Sequence, residues 1–185
     1  MNLLGTLNHG LVFVVSAPAG TGKTTLVRMV ANALPGVIPS ISYTTRPPRA
    51  NEEEGKDYYF VAPARFEEMV RQKEFLEYAN VFGYFYGTSR KRIEEETSRG
   101  RHVILVIDTQ GASQIRKQLK AISIFICPPD LDELQRRLQG RRSDSDEAIN
   151  TRLSWAKQEM AEAGHYDYRI INQDLHVAYD VLRSI

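Results

Sequence analysis

The chain has 185 residues, 42% hydrophobic and 25% charged, with a formal net charge of +1. That composition suits one globular domain with a sizeable core. So small a charge gives no bulk attraction to nucleic acid or to a membrane surface, and the single cysteine excludes an internal disulfide.

Residues 1 to 10 read as a short lead-in, without the basic region and long apolar stretch of a signal peptide. No apolar run approaches the length of a membrane span. A strand is expected over about Leu11 to Ser16, then the small-residue loop Ala17-Pro18-Ala19-Gly20-Thr21-Gly22, then a helix that stops before Pro35-Gly36. Val37-Ile38 and Ile41 lead into Ser42-Tyr43-Thr44-Thr45-Arg46-Pro47-Pro48-Arg49, which its prolines keep extended. Asn51 to Lys56 reads as a surface turn. Residues 57 to 88, rich in Tyr and Phe, form a small insert with a helix over about Ala64 to Gln72 and two short strands, 75–78 and 84–86.

A helix is expected from Arg90 to Ser98. The unbroken apolar run Val103 to Ile107, ending in Asp108, reads as a strand buried on both faces of a parallel sheet. A strand over 122–127 and a helix from Leu131 to Leu138 follow. Cys127 closes that strand and reads as a buried strand end rather than a nucleophile. Gly140-Arg141-Arg142-Ser143 is a basic joint. Asp144 and Glu147 are spaced as a helix N-cap and its capping-box partner, which predicts a long helix to about Glu162. Tyr168 to Ile171 reads as a last strand and Leu175 to Leu182 as a last helix. Strands alternating with helices predict an open α/β sheet with helices on both faces.

Four constellations carry chemistry, the last of them a group of lid arginines. The first is the loop, which continues into Lys23, Thr24 and Thr25. Strand, Gly-rich loop and helix form a phosphate cradle: backbone N–H groups close on the anion, the helix adds its positive end, Lys23 reaches the β- and γ-phosphates, and Thr24 offers a hydroxyl to Mg²⁺. Ala17 stands where the usual pattern has its first Gly. Asp108, at a buried strand end, is a candidate acidic partner for the metal.

The second is Arg46 and Arg49, two planar forks of donors on a stiff segment, which suit a phosphate monoester. Glu77 is the third. On a strand it shares a face with Phe75, and an acceptor-only carboxylate there suits two adjacent N–H donors, as on the Watson–Crick edge of guanine. Ser42 and Thr88 carry hydroxyls that can donate to a carbonyl such as guanine O6. Arg137, Arg141, Arg142 and Arg152 surround the joint at Gly140, as a phosphoryl-transfer lid requires.

The runs Ser42 to Arg49, Gly55-Lys56-Asp57-Tyr58, Glu74 to Glu77, Tyr86-Gly87, Ile107 to Gly111, Tyr166-Asp167-Tyr168 and Ile171-Asn172 resemble those of the guanylate kinases, in order and spacing. The resemblance covers about residues 10 to 182. It implies the P-loop nucleoside monophosphate kinase fold in three parts: a core (about 10–40, 90–138 and 156–185), a GMP-binding insert (about 41–89) and a lid (about 139–155). It implies transfer of phosphate from ATP to GMP, and to dGMP, with Mg²⁺; the expected cytoplasmic location rests instead on the single cysteine and the lack of a signal peptide or membrane span.

It also implies residue roles. Arg46, Arg49, Tyr58 and Tyr86 take the GMP phosphate. Ser42, Glu77 and Thr88 take its base, and Asp108 lies at the GMP and Mg²⁺ site. Arg137, Arg141 and Arg152 approach the ATP phosphates, and Asn172 the adenine. Thr88 stands where many members have Ser, and Val106 where some have a second Asp. Two alternatives remain at this point: a guanylate-kinase-like binding module without catalysis, and a P-loop kinase for another small acceptor.

Overall fold

The computed structural model describes residues 9–140 and 146–185. The chain runs β1 (Val12–Ser16), α1 (Lys23–Ala33), β2 (Val37–Pro39), β3 (Ser42–Thr44), β4 (Tyr58–Phe60), α2 (Pro63–Arg71), β5 (Phe75–Val81), β6 (Tyr84–Ser89), α3 (Arg90–Ser98) and β7 (His102–Val106). It continues through α4 (Thr109–Arg116), β8 (Ile122–Cys127), α5 (Leu131–Gln139), α6 (Asp146–Ala161), a 3₁₀ turn (Glu162–His165), β9 (Tyr168–Ile171) and α7 (Leu175–Ser184).

Five strands form one parallel sheet in the order β2-β7-β1-β8-β9. Its central strands are mostly apolar, so alternate residues feed two cores. On one face Val14, Val103, Leu105 and Phe125 pack with Ile93 of α3, Ala112 and Ile115 of α4, and Tyr166. On the other Val15, Ile104, Ile124 and Ile126 pack with Leu26, Val27 and Val30 of α1 and Ala178 and Leu182 of α7. Helices therefore cover both faces, as the alternating pattern predicts. From β1 the chain first crosses to β2 on one side and, after β7 fills the gap, to β8 on the other. β1 is the point at which strand order reverses, and ligands of open α/β sheets bind outside the carboxyl ends there.

Between β2 and β7 the chain builds a second, mixed sheet in the order β4-β3-β6-β5. Phe66 and Met69 of α2 and Phe75 of β5 form its own small core. Leu134 and Leu138 of α5 pack against Ile149 and Ala156 of α6.

The structure departs from the sequence expectations in three places. β4 is a strand of three residues, too short to alternate visibly, and parallel to β3. β7 ends at Val106, and Asp108 is not a strand residue but the N-cap of α4, a helix absent from the sequence reading. A register shift between Phe75 and Glu77 pairs Phe75 with Ser89 but Glu77 with Thr88. Cross-strand partners share a face, so this bulge puts Glu77 opposite Phe75 rather than beside it. The cap expected at Asp144 lies outside the described residues.

Candidate active site

The phosphate loop owes its shape to two glycines. Gly20 and Gly22 have φ of 95° and 92°, a region that other residues rarely enter. Gly22 is the N-cap of α1 and brings no side chain to cap it, and the first turn holds no acidic residue. The first N–H groups of α1 therefore face the cleft without a side-chain partner, a ready seat for an anion. Thr21 donates to the Pro18 carbonyl at 2.7 Å and ties the loop to itself. Lys23 Nζ donates to the Ile107 carbonyl at 3.4 Å, across the carboxyl ends of β1 and β7. Burial lowers the Lys23 pKa, and the fields of Glu159 and Asp108 oppose that shift.

The loop opens onto a cleft of about 290 Å³. Pro18, Ala19, Gly20, Gly22, Lys23, Thr24 and Thr25 line it on one side, and Ser42, Arg46, Arg49, Tyr58, Glu77 and Tyr86 on the other. Asp108 lies between them, and Arg152 of α6 and Phe82 of the β5–β6 hairpin close the mouth. Two distant stretches of sequence thus meet at one place. A larger cavity of about 830 Å³ lies at the opposite, amino end of the sheet, between α3 and residues 118–122. It holds neither the phosphate loop nor Arg46 and Arg49.

Arg46 is held on three edges. Its Nε donates to the Tyr86 hydroxyl at 3.1 Å, Nη1 to the Pro47 carbonyl at 2.7 Å, and Nη2 to both oxygens of Glu52 at 2.8 and 2.9 Å. Tyr58 packs edge-on against Tyr86, and burial raises its pKa, so its hydroxyl keeps its proton. Arg49 is exposed, and its backbone N–H donates to Glu52 at 2.8 Å. Glu52 was not singled out from sequence. It sits in an acidic run that reads as surface, and only the fold turns it back onto both arginines.

The residues expected to meet the base lie in one row across the small sheet. Thr44 faces Tyr86, so Ser42 and Thr88, two residues further each way, extend one row that reaches Glu77. Glu77 is only 4% exposed, and burial pushes its carboxyl up to about 7, with Asp108 adding to the shift. The Thr88 hydroxyl donates to Glu77 Oε1. Thr88 is itself fully buried, and its hydroxyl links the two paired strands through Glu77. Asp108 accepts from the Gly111 N–H at 2.8 Å and from Gln110 Nε2 at 3.0 Å.

Other expected residues fall around the cleft rather than in it. Asn172 is buried, and its amide donates to the Thr21 carbonyl at 2.6 Å. It braces the phosphate loop from behind. Ala17 is buried in the core under the loop. Arg137 pairs with Glu133 at 2.8 Å on its own helix and approaches the Gln173 carbonyl. Arg141 lies outside the described residues. Glu159, not singled out from sequence, lies two helical turns beyond Arg152 on α6 and half-buried near Lys23. Burial raises its carboxyl to about 7, and Lys23 opposes that shift. The spacing of Arg152, Ala156 and Glu159 on one helix face is the signal that could have found it. Cys127 ends β8, with its thiol pKa raised by burial, the reverse of what a nucleophile needs.

A phosphate loop, an arginine pair with two tyrosines, and a buried carboxylate now share one cleft, and the guanylate kinase family model matches residues 10–185. The chain belongs to the guanylate kinase family. A guanylate kinase of Protochlamydia amoebophila is 54% identical over 185 residues, covering 100% of this chain and 94% of that protein. One of Dechloromonas aromatica is 50% identical, covering 95% and 88%. Among solved structures, guanylate kinase from Anaplasma phagocytophilum superposes with a TM-score of 0.80 at 35% identity, over 95% of this chain and 84% of that one. Shikimate kinase from Bacteroides thetaiotaomicron reaches a TM-score of 0.51 at 14% identity, which is a likeness of fold alone. The enzyme is thus a GMP kinase, transferring phosphate from ATP to GMP.

Proposed function

We propose that the cleft holds ATP and GMP end to end, with the phosphate loop and Arg152 on one nucleotide and the β3–β6 sheet on the other. The supporting observation is the placement of the uncapped start of α1 and of Arg46, Arg49, Tyr58 and Tyr86 around one opening. The loop N–H groups and Lys23 take the β- and γ-phosphates of ATP, while Arg46, Arg49 and the two tyrosines take the phosphate of GMP. Glu52 prepositions the arginines. Glu77 accepts from the guanine N–H donors and Ser42 donates to its carbonyl. Domain motion divides the chain into a core, an insert over about 41–89 and a lid over about 139–155; the last boundary falls inside α6, a continuous helix. dGMP differs only at a ribose oxygen to which no cleft residue is assigned, so it is also accepted. The location is cytoplasmic; among the described residues no helix is long and apolar enough to cross a membrane.

Transfer needs no protein nucleophile. A phosphate monoester has a second pKa of about 6, so the attacking oxygen of GMP is largely ionised at neutral pH. The obstacle is bringing two anions together. Lys23, the loop amides and the arginines screen that repulsion and stabilise charge on the phosphoryl group in flight. Closure excludes the water that would otherwise hydrolyse ATP. Mg²⁺ fits the residues present: the exposed Thr24 hydroxyl and the Asp108 carboxylate are hard oxygen donors on the same cleft. Both Asp108 oxygens already accept hydrogen bonds, which favours contact through water. When bound, the ion neutralises phosphate charge.

The test is a coupled ADP-release assay with ATP, Mg²⁺ and each nucleoside monophosphate, on wild type and Lys23→Met. Loss of an electrostatic contact made in the transition state costs roughly 3–4 kcal/mol. We expect turnover with GMP to fall about a hundredfold or more in Lys23→Met, with GMP binding by calorimetry nearly unchanged. Near-normal turnover in the variant would remove the loop from the mechanism.

A further inference from the structure

Gly111 is a glycine that its backbone does not require. It lies in α4, buried, with φ outside the left-handed region where glycine is favoured. Alanine is the better helix former at such a position. The reason for glycine lies instead beyond its α-carbon. A Cβ built there overlaps Glu77 Oε2, and lies 3.1 Å from Glu77 Cδ and 3.4 Å from Asp108 Oδ1. The bulge in β5 turns Glu77 toward this spot, and the Thr88 hydroxyl holds its other oxygen. The carboxylate is therefore seated between a hydroxyl on one side and a bare α-carbon on the other. The same residue's N–H fixes Asp108.

We propose that Gly111 is a specificity-determining position of the GMP kinase reaction, because its missing side chain forms the seat that aims the Glu77 carboxylate at guanine. This rests on Glu77 being the base reader. The group that an added methyl would strike is the far end of a flexible side chain, not backbone. The carboxylate yields and the helix does not. It leaves its seat and swings into the space that guanine fills, or gives up Thr88. A misplacement of about 1 Å in an active site can cost on the order of 100-fold in rate.

The experiment measures kcat/KM of Gly111→Ala with GMP and with AMP. GMP is expected to lose about 10- to 100-fold, and the GMP/AMP ratio to fall with it. The KM for ATP should stay within about twofold, because the phosphate loop is untouched. The ratio does not depend on the fraction of active protein, so partial misfolding cannot imitate the effect. A purely structural role would lower both substrates together and leave the ratio intact, which overturns the proposal. Glu77→Gln separates the two levels of the argument. If it leaves the ratio unchanged, Glu77 does not read the base and the seat falls with it. If it collapses the ratio while Gly111→Ala preserves it, the seat alone fails. In the double variant, Gly111→Ala should cost little beyond Glu77→Gln, since both act through one carboxylate; full additivity overturns the proposal.

Discussion

Burial raises the Glu77 carboxyl from an ordinary 4.5 to about 7 before any ligand arrives. Two consequences follow with opposite signs. For stability, a raised native pKa means that the folded protein holds the proton more tightly than the unfolded chain. The contribution is complete below about 4.5 and is lost as pH rises through about 7. For guanine recognition the ionised form is needed, so kcat/KM for GMP should rise across the same interval, with a limb near pH 7 in the free enzyme. The GMP phosphate adds its own limb at about 6. Glu159, also raised to about 7 beside Lys23, adds its own limb, so Glu77→Gln discriminates by weakening the upper limb with GMP while leaving the lower one. A profile unchanged by Glu77→Gln would show that this carboxyl does not control binding. The residue type was legible in sequence, since an acceptor-only carboxylate on this segment matches the two donors of the guanine edge. Its aim was not, because a bulge is a property of two paired strands and strict alternation put Glu77 on the wrong face.

Among the elements, those that announce themselves locally were read correctly. β1, the loop and α1 carry their own signals in glycines and apolar periodicity, and α3 and β9 match the expected spans. α4 was missed because Thr109-Gln110-Gly111 is poor helix sequence, and only Ala112 and Ile115 mark its buried side; the Asp108 cap and packing against the sheet make it a helix. The bracing of the loop by Asn172 was equally hidden, because the two residues it joins are 151 positions apart. Its removal is testable. Asn172→Ala leaves the Thr21 carbonyl without that donor in a buried place, at a cost of about 1–3 kcal/mol. For a domain of this size, that lowers Tm by roughly 2–4 °C per kcal/mol. The KM for ATP should rise while GMP binding holds, because only the loop is loosened. A variant with wild-type Tm and wild-type KM for ATP would show that the loop does not depend on this brace.

At the scale of the whole molecule, the decisive contact spans the cleft mouth. Phe82, at the tip of the β5–β6 hairpin, meets Trp155 of α6 with ring centroids 5.1 Å apart, and Arg152 Cζ lies 5.9 Å from the Phe82 ring centre. The insert and the proposed lid touch in this way around a cleft of about 290 Å³. Phe82 adopts φ of 51°, followed by Gly83 at 85°, a two-residue turn that favours Asn-Gly. A bulky residue in that region costs about 1–3 kcal/mol. The chain therefore carries a strained aromatic where asparagine would stabilise the hairpin, and the Trp155 contact is what it gains. An aromatic pair contributes about 0.5–1.5 kcal/mol, enough to shift an open–closed balance by roughly two- to tenfold. Phe82→Asn should separate the two effects. Its Tm should equal or exceed that of wild type, because the turn is relieved. Trp155 is the only tryptophan, so its emission reports this contact alone. In the ligand-free variant that emission should shift to the red as the indole gains water, and ATP hydrolysis without GMP should rise relative to GMP phosphorylation, because the mouth closes less completely. If Phe82→Asn lowers Tm, or leaves both the emission and the hydrolysis ratio at wild-type values, the hairpin tip is not the latch between insert and lid.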